Sequence, residues 1–115
     1  MNLSPRPTAI FAVNDNTAIG ALSALTNRGV SVPGDVSLVG YNDIPIVSHL
    51  PTPLTTLRVP FDQIAAAALD LLERNPTEAA PTINLVAPTL IPRKSTAAPP
   101  DPRPPNLNAA HGPKA

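Results

Sequence analysis

The chain contains no cysteine and no tryptophan, and aromatic residues make up only 3% of its 115 residues. Without cysteine it can form no disulfide, no thiolate zinc site and no cysteine nucleophile. Its two histidines are far apart, without metal-ligand spacing, so we expect neither a metal nor another cofactor. Basic and acidic residues balance at 8 each, which argues against a basic nucleic-acid-binding surface.

Long apolar runs are also missing. No stretch approaches the roughly 18 apolar residues of a membrane-spanning helix. Residues 1–7 lack the charged-then-apolar pattern of a signal peptide. We therefore expect no membrane partner and a cytoplasmic location. The hydrophobic fraction of 43% supports one small domain with an aliphatic core.

Proline, by contrast, is abundant, with 17 residues placed unevenly along the chain. Residues 97–115 combine many prolines with a single large aliphatic residue, Leu107. Such a segment buries too little apolar surface to offset its ordering entropy. The sequence therefore predicts a loose segment at 1–7, a folded region at 8–96 and a disordered tail at 97–115.

The first half of the folded region has the pattern of a βαβ unit. Thr8–Val13 is a short apolar run typical of a buried strand. Thr17–Arg28 has helical apolar spacing, and Gly29 is a suitable helix stop. Val36–Tyr41 is the second predicted strand. This order predicts an α/β fold in which the two strands are parallel.

The second half continues with strands and a helix. Leu54–Val59 is a short extended segment, and Pro60 is suited to the start of a helix that runs to about Arg74. Thr82–Arg93 is predicted to be extended, with two prolines that confine it to a sheet edge. We expect an exposed apolar face on this helix, formed by Phe61, Ile64, Ala65, Ala68, Leu69 and Leu72.

The dipeptide Asn-Asp occurs twice, each time at the end of a predicted strand, as Asn14-Asp15 and Asn42-Asp43. The carboxyl ends of parallel strands lie at one sheet edge, where ligands of α/β folds bind. Amides both donate and accept hydrogen bonds, and carboxylates accept them. Together they would suit a neutral polyhydroxylated ligand.

Structural roles remain open for the same residues. Asn14 or Asp15 could cap the following helix, and Asn42-Asp43 could simply form a turn. A general acid–base pair has less support, because no histidine or lysine stands nearby as an activator. Arg58 is predicted to anchor the chain crossover rather than to bind a ligand.

Five motifs follow one another in a fixed order: PTAIFA, NDNTAIGAL, RGVSVPGDVSLVGYND, PLTTLRVP and PTLIPRKST. In this order they closely resemble the C-terminal part of lactose-repressor-type (LacI/GalR family) transcriptional regulators. The resemblance covers roughly residues 6–98. It implies part of a periplasmic-binding-protein-like sensor domain, in which two α/β subdomains close around a small effector, usually a sugar or nucleobase-type molecule.

The resemblance also implies roles for individual residues. Asn14 and Asn42 match effector contacts of the family, and Asn16 matches an additional polar contact of some members. Position 42 is usually Asp in well-known members, so Asn42 removes a charge and adds a donor. Asp15 and Asp43 complete the predicted ligand-binding set, with Asp43 expected mainly to support its loop.

A dimer surface is implied as well, formed by Ile19, Leu22, Ser23, Val47 and Leu50. In the family, DNA is bound by an N-terminal helix-turn-helix domain that these 115 residues lack, so we expect this chain to be a fragment that binds no DNA by itself. Two other interpretations remain: a fragment of a sugar-binding transport receptor of the same fold, and a small α/β enzyme. The enzyme would require a nucleophile or acid–base pair that the sequence does not show.

Overall fold

The computed structural model describes residues 3–74 and 83–99 of the chain. These residues form four strands, two α-helices and one short 3-10 helix. In chain order the elements are β1 (Ala9–Phe11), α1 (Asp15–Asn27), β2 (Ser37–Asn42), the 3-10 helix Pro45–Ser48, β3 (Thr55–Arg58), α2 (Phe61–Glu73) and β4 (Thr89–Ile91).

The four strands form one sheet in the order β1-β2-β3-β4. β1, β2 and β3 are parallel, and β4 runs antiparallel to β3 at the edge. The predicted α/β fold with a parallel βαβ unit is therefore confirmed. β4 lies between Pro88 and Pro92, as expected of an edge strand, but residues 83–88 have no regular structure, so this strand is shorter than predicted.

The ends of α1 have clear local causes. Asn14 has an extended backbone, and its side chain accepts a 2.8 Å hydrogen bond from the amide of Thr17, which caps the helix. At the other end Gly29 adopts a φ of 69°, and the amide of Val30 donates to the carbonyl of Leu25. This Schellman-type ending requires a left-handed residue, which glycine supplies at little cost.

The core lies between α1 and one face of the sheet, and it is aliphatic as predicted. Its buried cluster consists of Ala12, Ala18, Leu38, Val47 and Leu54. The prediction that Val47 belongs to a dimer surface is wrong, because the 3-10 helix turns this side chain fully into the core. The opposite face of the sheet stays open: Phe11 is 63% exposed and packs edge-to-face on Tyr41.

No residue of α2 is buried within the described part of the chain. Its large apolar side chains are exposed, up to 79% for Leu72, which confirms the predicted apolar face. A shallow groove separates α2 from the segment at 84–86 and is lined on the helix side by Ile64, Ala67, Ala68 and Leu71. No helix among the described residues is long and apolar enough to cross a membrane.

Three predicted features fall partly outside the described residues. The loose segment at 1–7 is described only from residue 3, the extended segment Thr82–Arg93 only from residue 83, and the tail at 97–115 only at 97–99. The second helix, predicted to run to about Arg74, ends at Glu73 with Arg74 as its C-cap.

Candidate functional site

The two Asn-Asp pairs lie at the same edge of the sheet. Asn14 follows β1 and Asn42 is the last residue of β2, and these two strands are direct parallel neighbours. The topology therefore brings the pairs together as the sequence pattern predicted. Asn16 is exposed in the first turn of α1, next to this edge.

Asn42 and Asp43 both adopt left-handed backbone conformations, with φ values of 110° and 57°. Asn and Asp tolerate positive φ better than most residues, but each such residue still costs on the order of 1–3 kcal/mol. The surrounding structure must therefore hold this turn in place. Contacts from three other parts of the chain do so, made by Asp15, Arg58 and Arg93.

The first contact is made by Asp15, whose side chain is fully buried. Its Oδ2 accepts a 2.8 Å hydrogen bond from the amide of Ile44, and its Oδ1 accepts a 2.6 Å bond from Thr56 Oγ1. Gly40 leaves the space for this carboxylate, because a Cβ there would collide with Asp15 Oδ1. The predictions that Asp15 caps α1 or contacts a ligand are wrong, because its carboxylate is buried and both oxygens accept hydrogen bonds from the protein.

The other two contacts are made within the turn to Asp43, whose side chain is only 6% exposed. Arg58 Nε lies 2.7 Å from Asp43 Oδ2, and Arg93 Nη2 lies 2.7 Å from Asp43 Oδ1. Burial alone would raise the pKa of Asp43, but the hydrogen bonds and charges of Arg93 and Arg58 outweigh burial and lower it. Both carboxylate oxygens are thus used inside the protein, and Arg58, predicted to anchor the chain crossover, pairs with Asp43.

Ser95 joins β2 to β3 and was not singled out from the sequence. Its fully buried Oγ donates to the carbonyl of Leu38 at 2.6 Å and accepts from the amide of Thr55 at 2.8 Å. Nearby, Arg93 Nη1 donates to the carbonyl of Leu54 at 2.9 Å. Arg93 and Ser95 lie in the motif PTLIPRKST. The motif identified this segment, but it did not show which of its side chains the fold requires.

In the second Asn-Asp pair, the side chain of Asn42 has no hydrogen-bond partner among the described residues. Asn14 uses its Oδ1 for the helix cap, and within residues 3–74 and 83–99 its amide nitrogen has no protein partner. The edge therefore presents the neutral side-chain amides of Asn14 and Asn42, while the carboxylates of Asp15 and Asp43 are buried. The described residues contain no group of three or more side chains suited to a metal ion.

Four of the five residues predicted for the dimer surface come together. One surface groove between α1 and the loop after the 3-10 helix is lined by Ile19, Leu22, Ser23, Thr26, Asn27, Leu50, Pro51 and Thr52. Its apolar side chains, half-buried in this chain, belong to Ile19, Leu22 and Leu50. Val47, from the same prediction, lies beneath this surface in the core.

Comparison with known proteins places the chain in a family. Residues 1–96 match the model of the periplasmic binding protein-like domain. The chain is 49% identical over 70 residues to the lactose operon repressor of Rhizobium radiobacter. It is 41% identical over 95 residues to the HTH-type transcriptional regulator GalS of Salmonella typhimurium.

Among solved structures, the chain is similar to the lac repressor dimer bound to operator and the anti-inducer ONPF, with a TM-score of 0.72 and 36% identity. The matched region covers 80% of this chain and 32% of that chain. For the repressor and the GalS regulator it covers 61% and 78% of this chain, against 62% and 27% of theirs. The chain thus spans less than two thirds of the length of these relatives. It belongs to the periplasmic binding protein-like family, within the group of LacI/GalR-type transcriptional regulators.

Proposed function

We propose that this chain forms one wall of a small-molecule effector site in a LacI/GalR-type regulator. The observation that supports the proposal is that Asn14 and Asn42 lie at the carboxyl ends of two neighbouring parallel strands. Asn16, exposed beside them, completes the proposed set of contacts. In α/β folds this edge is where ligands bind.

The chemistry of the edge favours an uncharged, polyhydroxylated ligand such as a sugar. Amide groups donate and accept, and each ligand hydroxyl needs both kinds of partner. The carboxylates of Asp15 and Asp43 are committed to protein donors, so they add no negative charge for a cationic ligand to pair with. The name of the Rhizobium radiobacter relative, a lactose operon repressor, makes lactose a reasonable first probe.

We infer a regulatory binding role rather than catalysis, because the relatives are named as repressors and regulators. Those names also favour a transcriptional regulator over a transport receptor. They favour a regulator that acts on bacterial DNA, and therefore a cytoplasmic location. For assembly we propose a homodimer through the groove of Ile19, Leu22, Ser23 and Leu50. Support comes from their shared surface position and from the similarity to a repressor described as a dimer.

Titration of the ¹⁵N-labelled 115-residue chain with lactose and galactose, followed by NMR, tests the effector site. The side-chain amide signals of Asn14 and Asn42 are assigned by their loss in Asn14→Ser and Asn42→Ser. We expect sugar to shift both signals, and Asn42→Ala to weaken binding about tenfold, equivalent to about 1.4 kcal/mol.

Asn27→Ala is the matched control, because Asn27 is an exposed asparagine at the opposite end of α1. It should bind sugar like the unmodified chain. Equal affinity of Asn42→Ala and Asn27→Ala, or the absence of any sugar-dependent shift at Asn14 and Asn42, would count against the proposal.

A further inference from the structure

Two arginines from distant parts of the chain converge on one carboxylate. Arg58 is the last residue of β3, and Arg93 lies two residues after β4 ends. Both reach Asp43 at 2.7 Å, one on each carboxylate oxygen. β3 and β4 are the strands that precede and follow α2 in the chain, so Asp43 is tied to both segments that flank this helix.

The residue held in this way is the immediate neighbour of Asn42. The turn has two consecutive left-handed residues, Asn42 and Asp43, and its next amide, that of Ile44, is held by the buried Asp15. The turn is therefore fixed from both sides: Asp15 holds its exit and the two arginines hold its centre. A left-handed pair of residues other than glycine persists only where such contacts determine it.

We infer that Asp43 is a positioning residue of the ligand site: its two arginine contacts hold the turn in which Asn42 presents its amide at the sheet edge. The inference rests on the proposed function and extends it in one respect. It makes the conformation of Asn42 depend on the segments on either side of α2. Asp43 touches no ligand in this scheme and acts only through its neighbour.

A purely structural ion pair is the competing explanation, and it makes different predictions. Such a pair would stabilise the sheet edge without affecting the side chain of Asn42. A positioning role requires that loss of either arginine contact changes the environment of the Asn42 amide in a chain that is still folded. The χ1 rotamer of Asn42, measured from its three-bond couplings, distinguishes the two explanations, because it reports the direction of this side chain and not global stability. The chemical shift alone does not, because Arg58 is the register partner of Asn42 and Asp43 is its neighbour in sequence.

The experiment compares Asp43→Asn, Arg58→Gln and Arg58→Lys with a control, Asp70→Asn, in the 115-residue chain. Asp70 forms an exposed ion pair of the same 2.7 Å length with Arg74 on α2, remote in sequence from the turn. The side chain of Arg58 is 59% exposed, so its replacement leaves the core intact and yields a folded variant even if Asp43→Asn unfolds.

We expect the preferred χ1 rotamer of Asn42 to change in Asp43→Asn and in Arg58→Gln, to change less in Arg58→Lys, and to stay the same in Asp70→Asn. Lactose affinity should fall about tenfold in Asp43→Asn and about threefold in Arg58→Gln, as judged by the sugar-dependent shift of Asn14. Far-UV circular dichroism checks that each variant is folded.

The outcomes separate this inference from the proposed function. If the Asn42 rotamer is unchanged in folded Arg58→Gln and Asp43→Asn, the positioning role is wrong, whether or not lactose binds. If the rotamer changes as expected but lactose shifts no signal of the unmodified chain, the proposed effector site fails while the coupling of Asp43 to Asn42 stands.

Discussion

Thr56 Oγ1 lies 2.6 Å from Asp15 Oδ1, although 41 residues separate the two along the chain. The other oxygen of the same buried carboxylate accepts the amide of Ile44. One side chain therefore joins the start of α1 to β3 and to the turn after β2. Because the site is buried, each of these groups would lack a partner if the carboxylate were removed.

Replacing Asp15 by Ala should consequently lower the free energy of unfolding by about 2–4 kcal/mol, since it leaves a part-buried amide and a buried hydroxyl without an acceptor. Thr56→Val removes only one donor and should cost about 1–2 kcal/mol. Urea unfolding followed by circular dichroism measures both. Asp70→Ala, which breaks an exposed ion pair, is the control and should stay within about 0.5 kcal/mol.

Gly40 and Gly20 give a matched pair of glycine-to-alanine substitutions with opposite expected signs. A Cβ at Gly40 would meet Asp15 Oδ1 and lie 2.8 Å from Leu54 Cδ2, so Gly40→Ala should destabilise the chain by about 1–3 kcal/mol. A Cβ at Gly20 would meet nothing within 4 Å, and Ala is the better helix former. Gly20→Ala should stabilise by about 0.5–1 kcal/mol. Equal effects at both positions would contradict the proposed packing of Asp15 over Gly40.

Much of this fold follows from local patterns in the sequence. Apolar runs predicted the positions of β1 and β2, helical spacing predicted α1, and Gly29 predicted its end, because each depends on residues close in sequence. The prediction of a buried strand at Thr8–Val13 was wrong in part, since β1 covers only Ala9–Phe11, and Phe11 and Val13 are exposed. The shared edge of Asn14 and Asn42 also followed, since parallel pairing fixes it. Pro88 and Pro92 correctly placed β4 at the sheet edge, because proline cannot donate to an inner ladder.

The roles of the two aspartates depended on contacts that local patterns do not contain. A carboxylate at the start of a helix suggests a cap, and nothing in the sequence near Asp15 shows that Thr56 will reach it. Val47 lies in a proline-rich loop that reads as surface, yet the 3-10 helix buries it. Such roles can be assigned only from the tertiary structure. The two hydrogen-bond partners of Asp15, for example, lie 29 and 41 residues away along the chain.

Ser95→Ala should weaken the connection between β2 and β3. The Ser95 hydroxyl bridges the carbonyl of Leu38 and the amide of Thr55, and its loss leaves both without this partner inside the protein. We expect the free energy of unfolding to fall by about 1–3 kcal/mol. Ser48→Ala is the control, because the Ser48 hydroxyl makes one exposed hydrogen bond to Pro45. A similar, small effect of both substitutions would contradict the bridging role.

DNA binding by these 115 residues is not expected, because a formal net charge of zero argues against the basic surface that binds phosphates. A gel-shift titration of the chain against operator DNA from its own gene neighbourhood should give no specific, salt-sensitive complex. The lac repressor, whose dimer is described as bound to operator, serves as the positive control on that operator. A specific complex that weakens steeply with salt would overturn this expectation.

The pH dependence of stability should reveal the ion pairs of Asp43. Arg93 and Arg58 lower the pKa of this carboxyl below its usual 3.8 in spite of its burial. A carboxyl whose pKa is lower in the folded state stabilises that state fully above its unfolded pKa, and this contribution is lost as the pH falls through the folded pKa. Asp43→Asn should therefore destabilise the chain by about 1–3 kcal/mol at pH 7. The difference from the unmodified chain should shrink progressively below about pH 4.

Urea unfolding of both proteins at pH 7, 5, 4 and 3 measures this difference. The contributions of the other carboxylates cancel, because both proteins share them. A difference that widens as the pH falls would mean that the folded protein raises the pKa of Asp43, contrary to the two arginine contacts.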